Sequence, residues 1–185
     1  AGGGKRVLST AGSPVYEPRR FQSVARTMGC IPVATAALGP VAGLPASRLV
    51  ASHFCVMTRE NAQVLVAGPA VVARALGEHL TKEELGGAKI HARNGVADSV
   101  AKDEVEAFDQ VRRFLSYMPR NAWELAPDID IGDPAERVEE ELATIVPRDR
   151  RKPYDMRKLI SMVVDQDSFF ELGRVYGPGQ IVGFA

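Results

Sequence analysis

The sequence has little cysteine and no excess of charge of either sign. Its two cysteines, Cys30 and Cys55, are too few and too far apart for a disulfide framework or a zinc site. The 23 Lys and Arg residues balance 23 Asp and Glu residues, so no basic field is present to hold nucleic acid. We therefore expect a protein of a reducing compartment that binds no nucleic acid and holds no metal.

The sequence also lacks a hydrophobic run suited to a membrane. Residues 28–47 carry no charge, but they are interrupted by three prolines and three glycines, which fits buried strands joined by a turn better than a membrane helix. The start lacks a methionine and a signal peptide, and 181–185 reads as the middle of a strand. Both ends look cut, so we expect an internal piece that does not turn over on its own.

Helical and strand patterns alternate along the chain, which indicates α/β layers. Periodicity, capping boxes at Thr81–Glu84 and Asp103–Glu106, and stop signals predict helices over 17–28, 45–51, 69–76, 81–85, 104–118, 134–143 and 155–164. Short apolar runs predict strands over 31–37, 53–57, 62–66, 96–100, 169–172 and 181–184. The stretch 39–43 is predicted to be a turn.

Two glycine-rich stretches are candidates for ligand contact. Gly2, Gly3 and Gly4 precede Lys5-Arg6, which does not satisfy the Walker spacing, so an anion-binding loop and a flexible tag remnant both stay open. Residues 39–45 join a predicted strand to a predicted helix, where consecutive N–H groups can hold a developing oxyanion. Taken alone, the residues favour a purely structural turn there.

The remaining reactive side chains favour structural roles. No Gly-x-Ser-x-Gly motif is present. His53 lies in an apolar run and is predicted to be a hydrogen-bonded core residue, His79 a surface residue, and His91 the donor or acceptor of a structural hydrogen bond. Cys30 and Cys55 are more typical of small buried hydrophobes than of nucleophiles.

Several separate motifs, in register over nearly all 185 residues, resemble a known family. Residues 83–91 and 94–98 resemble the "E-E-L-G-G-A … H … S-G-V-A" signature of carboxyltransferase (beta) subunits that act on propionyl-CoA, methylcrotonyl-CoA and related acyl-CoAs. Other segments resemble further elements of the same family, namely 67–69 ("A-G-P"), 103–119 ("D-E … L-L-S-Y-L-P"), 153–157, 165–171 and 182–185.

The resemblance implies a crotonase-like (ClpP/crotonase) fold of repeated ββα units, in an incomplete two-domain carboxyltransferase. Residues 1–125 would be the C-terminal part of the N-terminal domain. Residues 126–150 would be a linker, and 151–185 the start of the C-terminal domain.

The resemblance also implies a reaction and a site. A carboxyl group moves from carboxybiotin to the α-carbon of an acyl-CoA through an enolate, whose oxygen needs paired N–H donors. Residues 39–44 match the family's "G-P-x-A-G-G" turn, which makes the backbone N–H groups of Gly43 and Leu44 the candidate oxyanion hole. Leu44 replaces the second glycine, so a side chain enters the site.

The same resemblance assigns substrate contacts. Gly2, Gly3, Gly4 and Arg6 match the family's "S-G-G-A-R" loop and are candidate acyl-CoA contacts, together with Ala42. The donors for biotin lie after residue 185 in the family.

Partners follow from the family as well. A biotin carboxylase subunit and a biotin carboxyl carrier domain would supply carboxybiotin, in a homo-oligomer (a hexamer). The expected location is the cytoplasm, or the mitochondrial matrix in a eukaryote.

Three functions compete. The first is carboxyl transfer to an acyl-CoA, and the second is a biotin-dependent acyl-CoA decarboxylase that runs the chemistry in reverse. The third is a non-catalytic CoA-binding or assembly module, which is favoured if Leu44 blocks the pocket. A crotonase-type hydratase is disfavoured because 39–48 holds no carboxylate pair.

Overall fold

A computed structural model describes residues 19–185, and the side chains from residue 22 onward. The first helix, α1, spans Arg19–Met28. A parallel three-stranded sheet in the order β1-β3-β5 follows, formed by Ala34–Ala37, Phe54–Thr58 and Ser99–Ala101. All five residues of the central strand β3 are buried, as expected for a parallel strand covered on both faces.

A second, two-stranded parallel sheet pairs β2 (Pro40–Ala42) with β4 (Gln63–Leu65). The sequence predicted a turn over 39–43, and that prediction is wrong for its middle three residues. Pro40 is tolerated because it is the first residue of a short strand, where a missing N–H removes no essential ladder bond. The neighbouring strand predicted over 62–66 is confirmed.

Two successive ββα units result from these pairings. β1 and β2 lead into α2 (Leu44–Val50), and β3 and β4 lead into α3 (Pro69–Leu76). The first strands of the two units pair with each other, and so do the second strands. This arrangement fixes the end of β2 beside the end of β4, which is where the candidate site lies.

The capping box at Thr81 is confirmed, because its hydroxyl accepts the Glu84 N–H and the Glu84 carboxylate accepts the Thr81 N–H. It begins α4 (Lys82–Gly86), and Gly87 then separates α4 from α5 (Ala88–Asn94). The sequence did not predict α5. The second box forms only in part, since Asp103 caps α6 (Glu104–Ser116) while Glu106 accepts from Lys102 N–H instead of Asp103 N–H.

The acidic stretch after α6 contains much less helix than predicted. In place of 134–143, only α7 (Leu142–Ile145) forms. Glu136 lies three and four positions before Glu139 and Glu140, and like charges at that spacing destabilise a helix. Arg137 instead ion-pairs with Asp133 at 2.9 Å.

The last part of the chain packs on the same core as the first. α8 (Met156–Val163) is capped by Asp155, and β6 (Phe170–Leu172) pairs antiparallel with β7 (Val182–Phe184). Phe170 contacts the rings of Phe54 and Tyr117, and the Tyr117 hydroxyl donates to the Ser168 carbonyl. The division at 1–125, 126–150 and 151–185 stays a prediction.

Candidate active site

The candidate site is the junction between β2 and α2. Gly43 lies there with φ 67° and ψ −135°, a backbone conformation open essentially to glycine alone. Apart from Gly43 and its two chain neighbours, no atom of the described residues lies within 4 Å of the position that a Cβ would occupy at Gly43. Glycine is therefore required by the direction of the backbone and not by a lack of space.

The two predicted oxyanion donors differ in their surroundings. The Gly43 N–H donates to the Leu65 carbonyl at 3.2 Å, which extends the β2–β4 ladder by one residue. Leu44 is the first residue of α2, where a helix leaves its N–H without an intrahelical partner. Leu44 is 47% exposed, so its side chain stands largely in solvent beside its own N–H.

A mostly apolar cavity of about 450 Å³ borders Gly43. Its walls come from α2, β4, the residue after β4 and α5, and they include Ala46, Val64, Leu65, Val66 and His91. A cavity of this size and lining suits the apolar part of a small ligand. Val66 is 96% exposed, which leaves one wall open.

His91 makes the structural hydrogen bond that the sequence predicted, with Nε2 2.8 Å from the Val64 carbonyl oxygen. The other two histidines lie away from this cavity. His79 is exposed, as predicted. His53 is hydrogen-bonded, since its Nδ1 accepts the Val33 N–H at 3.0 Å, but it is exposed and the prediction of a core residue is wrong. It stands at the start of β3, before the chain enters the sheet.

Of the other predicted site residues, the structure describes only one. Ala42 is the exposed last residue of β2, directly before Gly43. Gly2, Gly3, Gly4 and Arg6 lie outside the described residues.

Within 19–185, no group of three His, Cys, Asp or Glu side chains could hold a metal ion. The helices of that same stretch are all too short or too polar to cross a membrane.

Cys55 is not a nucleophile. It is buried in β3, and this burial raises the pKa of its thiol to about 12, with the Asp98 carboxylate adding to the rise. A thiol that stays protonated at neutral pH is inert, as predicted. Cys30 is a half-buried free thiol.

Asp98 joins β3 to the loop before β5. Its Oδ2 accepts the Cys55 N–H at 2.7 Å, its N–H donates to the Cys55 carbonyl at 2.9 Å, and its carbonyl accepts the Gly173 N–H at 2.8 Å. Burial nevertheless raises the pKa of the Asp98 carboxyl above its ordinary value, and the hydrogen bond from Cys55 only partly opposes this. Apart from its place next to the family motif, no pattern in the sequence pointed to Asp98.

We expect Asp98→Asn to remove a pH dependence of stability. Because folding raises the pKa of this carboxyl, ionisation costs stability, which falls as pH rises from the ordinary aspartate pKa through the higher folded value. The asparagine keeps an oxygen to accept the Cys55 N–H and cannot ionise. Urea midpoints measured from about pH 4 to pH 7 should therefore decline less in the variant than in the wild type over that range.

The control is Asp109→Asn, which removes an exposed carboxylate paired with Arg112 on α6. It should keep the wild-type profile. An unchanged profile in Asp98→Asn would show that the Asp98 carboxyl titrates normally.

Residues 16–185 match the family described as the carboxyl transferase domain. The chain belongs to this family. It is 36% identical over 165 residues to a propionyl-CoA carboxylase carboxyltransferase subunit of Haloferax mediterranei, covering 89% of this chain and 32% of that protein. It is 35% identical over 184 residues to the mitochondrial propionyl-CoA carboxylase beta chain of Homo sapiens, covering 99% of this chain and 34% of that protein.

A third relative is the methylmalonyl-CoA decarboxylase subunit alpha of Veillonella parvula, 32% identical over 184 residues and covering 99% of this chain and 36% of the relative. Among solved structures, transcarboxylase 12S with methylmalonyl-CoA and methylmalonic acid bound superposes with a TM-score of 0.81 at 31% identity. The match covers 89% of this chain and 32% of the transcarboxylase chain. The chain thus spans about a third of the length of these relatives. The fold is crotonase-like, as predicted.

Proposed function

We propose that this chain is part of the carboxyltransferase component of a biotin-dependent acyl-CoA carboxylase. The observation that carries the proposal is Gly43, held at positive φ between a strand and a helix beside an apolar cavity, in a carboxyl transferase domain. The relatives named for propionyl-CoA carboxylation support an acyl-CoA as the substrate.

The chain's residues would act on the enolate of the acyl-CoA. The enolate of an acyl-CoA carries negative charge on its thioester oxygen, and backbone N–H groups fixed in advance stabilise such charge without reorganising. We assign this role to Gly43 and Leu44. Leu44 N–H, at the start of α2, is the donor fixed in advance, whereas Gly43 N–H is hydrogen-bonded to the Leu65 carbonyl and would share its hydrogen with the substrate oxygen.

The remaining contacts are also proposals. The cavity beside Gly43 would take the acyl group, with Ala42 at its edge and Gly2, Gly3, Gly4 and Arg6 contacting acyl-CoA as the resemblance implies. Carboxybiotin, when bound, supplies the activated carboxyl group. We assign none of the described residues to biotin. The turn at 39–44 is the oxyanion site that we propose among them, and we assign it to the enolate of the acyl-CoA.

The partners would be a biotin carboxylase subunit, a biotin carboxyl carrier domain and further copies of this chain. Large exposed apolar side chains support burial against another surface, since Val66, Trp123 and Leu125 are each at least 80% exposed. A hexamer is the assembly that we propose, by analogy with transcarboxylase 12S, whose structure is described as a hexamer. The cytoplasm or mitochondrial matrix stays the proposed location.

A carboxyl-transfer assay tests the proposal on the protein that carries this chain. Methylmalonyl-CoA and free biotin are incubated with the protein, propionyl-CoA is measured, and the intact mass is taken on the same sample. Biotin-dependent propionyl-CoA formation supports a carboxyltransferase. A mass well above 20.0 kDa with acyl-CoA binding but no transfer would overturn it in favour of a non-catalytic CoA-binding module.

The decarboxylase is the second candidate, supported by the Veillonella parvula relative. Carboxylation and decarboxylation pass through the same enolate, so the described residues serve both. Supplying the protein with a biotin carboxylase, ATP, bicarbonate and a biotinylated carrier separates them. Net carboxylation of propionyl-CoA supports the first candidate, and methylmalonyl-CoA loss alone supports the second.

Leu44→Gly is expected to widen the range of acyl chains accepted. Leu44 does not line the cavity beside Gly43, but its side chain leaves the same residue as the proposed donor N–H, and removing it opens space next to the thioester for a larger acyl group. We expect kcat/KM for butyryl-CoA relative to propionyl-CoA to rise about 10-fold, the discrimination that a methylene in an apolar pocket provides. The control is Leu76→Gly, another exposed leucine, at the end of α3. An unchanged ratio in Leu44→Gly would remove Leu44 from the acyl pocket.

A further inference from the structure

Both ring nitrogens of His91 are engaged within the protein. Nε2 lies 2.8 Å from the Val64 carbonyl oxygen, which can only accept, so Nε2 carries the hydrogen. Nδ1 faces the amide nitrogen of Asn94 at 3.4 Å, and the Asn94 oxygen accepts the Val96 N–H at 3.1 Å, which orients that amide. Both ring nitrogens therefore have partners within the protein, which fixes the orientation of the ring.

The Val64 carbonyl connects His91 to the candidate oxyanion hole. Val64 and Leu65 are adjacent in β4, and Leu65 accepts the Gly43 N–H at 3.2 Å. Across the ladder, Val41 pairs with Val64 and Ala42 with Leu65, and the chain then enters Gly43. A two-stranded sheet of three-residue strands is marginal by itself, so a further hydrogen bond to β4 bears directly on the position of Gly43.

Gly86 makes the close approach of His91 and β4 possible. It is the buried last residue of α4, and a Cβ there would lie 2.1 Å from the Val64 carbonyl oxygen and 3.0 Å from His91 Nε2. A side chain at Gly86 would therefore displace both groups. His91 makes the hydrogen bond to Val64 in β4, and Gly86 leaves the space in which that bond forms.

We propose that His91 is a positioning residue for carboxyl transfer, which acts through Val64 and β4 to set the direction of the Gly43 and Leu44 N–H groups. The inference rests on the proposed function for its effect on rate. Its effect on the Gly43 backbone is independent of any activity. His91 fixes the strand against which Gly43 N–H is hydrogen-bonded, and loss of its N–H donor releases that strand.

The test compares His91→Ala with His91→Gln, whose amide N–H replaces the ring donor to Val64. The control is His79→Ala, at an exposed histidine after α3. We expect His91→Ala to lower kcat for transfer from methylmalonyl-CoA to biotin by about 10-fold or more with KM changed less than about 2-fold, because donors aimed at the developing charge act in the transition state. His91→Gln should recover most of the rate. If His91→Ala does not fold, His91→Asn, whose amide is too short to reach Val64, takes its place.

Amide hydrogen exchange of the peptide over 40–46 provides the second readout. It should be at least about 10-fold faster in His91→Ala than in wild type, His91→Gln or His79→Ala, because local opening governs exchange. Unchanged exchange in His91→Ala overturns the inference whether or not the protein transfers carboxyl groups. Wild-type kcat in His91→Ala overturns it too. A wild-type protein without transfer but with the expected exchange pattern would reject the proposed function and keep the positioning contact.

Discussion

Replacing Gly43 by alanine is expected to reduce carboxyl transfer by about 100-fold, with a small loss of stability. At φ 67° and ψ −135° an alanine is strained by roughly 1–3 kcal/mol, and the strain is relieved by rotating the peptide that carries the Leu44 N–H. Removing one oxyanion donor typically costs about 10² to 10³ in rate. The loss should appear in kcat more than in the KM for acyl-CoA.

The matched control for this prediction is Gly68→Ala. Gly68 also precedes a helix that has proline in its first turn, and its Cβ position is equally free of neighbouring atoms. Its φ is −75°, which any residue adopts, so this variant should keep the wild-type rate. Equal rates in the two variants would mean that the Gly43 backbone does not hold the enolate.

Sequence reasoning predicted the central strand of the main sheet because it is a nearly continuous apolar run. Four residues of the run at 53–57 lie in β3 (Phe54–Thr58), and every residue of that strand is buried. The caps at Thr81 and Asp155 were equally visible, since each places a side-chain oxygen before a helical pattern. Such signals are local, and local signals survive folding when nothing in the tertiary structure opposes them.

Elements without such a signal were missed. β2 has only three residues, one of them a proline, and it is a strand because β4 pairs with it. α5 has no apolar stripe, and it forms because Gly87 and the left-handed Gly95 set its two ends while Ala88 and Ala92 face the core. In both cases long-range packing decided the structure.

The candidate site shows the same division. The glycine turn was recognisable from its motif, and Gly43 does border a cavity. The hydrogen bond between Gly43 and Leu65 joins residues 22 positions apart in the chain. The hydrogen bond between His91 and Val64 joins residues 27 positions apart. Only the three-dimensional pairing of β2 with β4 reveals that these residues act on one junction.

Phe54→Ala is expected to destabilise the protein by about 3–5 kcal/mol, the usual cost of removing a buried aromatic side chain. Phe54 is fully buried in β3, with its ring centroid 4.9 Å from that of Phe114 and 5.7 Å from that of Phe170. Urea unfolding measures the loss. Phe108→Ala is the control, because Phe108 is 44% exposed on α6 and its removal should cost less than about 1 kcal/mol.

The partner ring Phe170 makes this prediction a test of how the chain is divided. Phe170 lies in the stretch predicted to begin the second domain, yet it is buried with Phe54 and Phe114 in one cluster. If they share a core, Phe54→Ala and Phe170→Ala should be non-additive by at least about 0.5 kcal/mol in a double-mutant cycle, as contacting residues are. Additive effects would mean that the segment after residue 151 leaves this core in solution and that the predicted boundary separates two independent packing units.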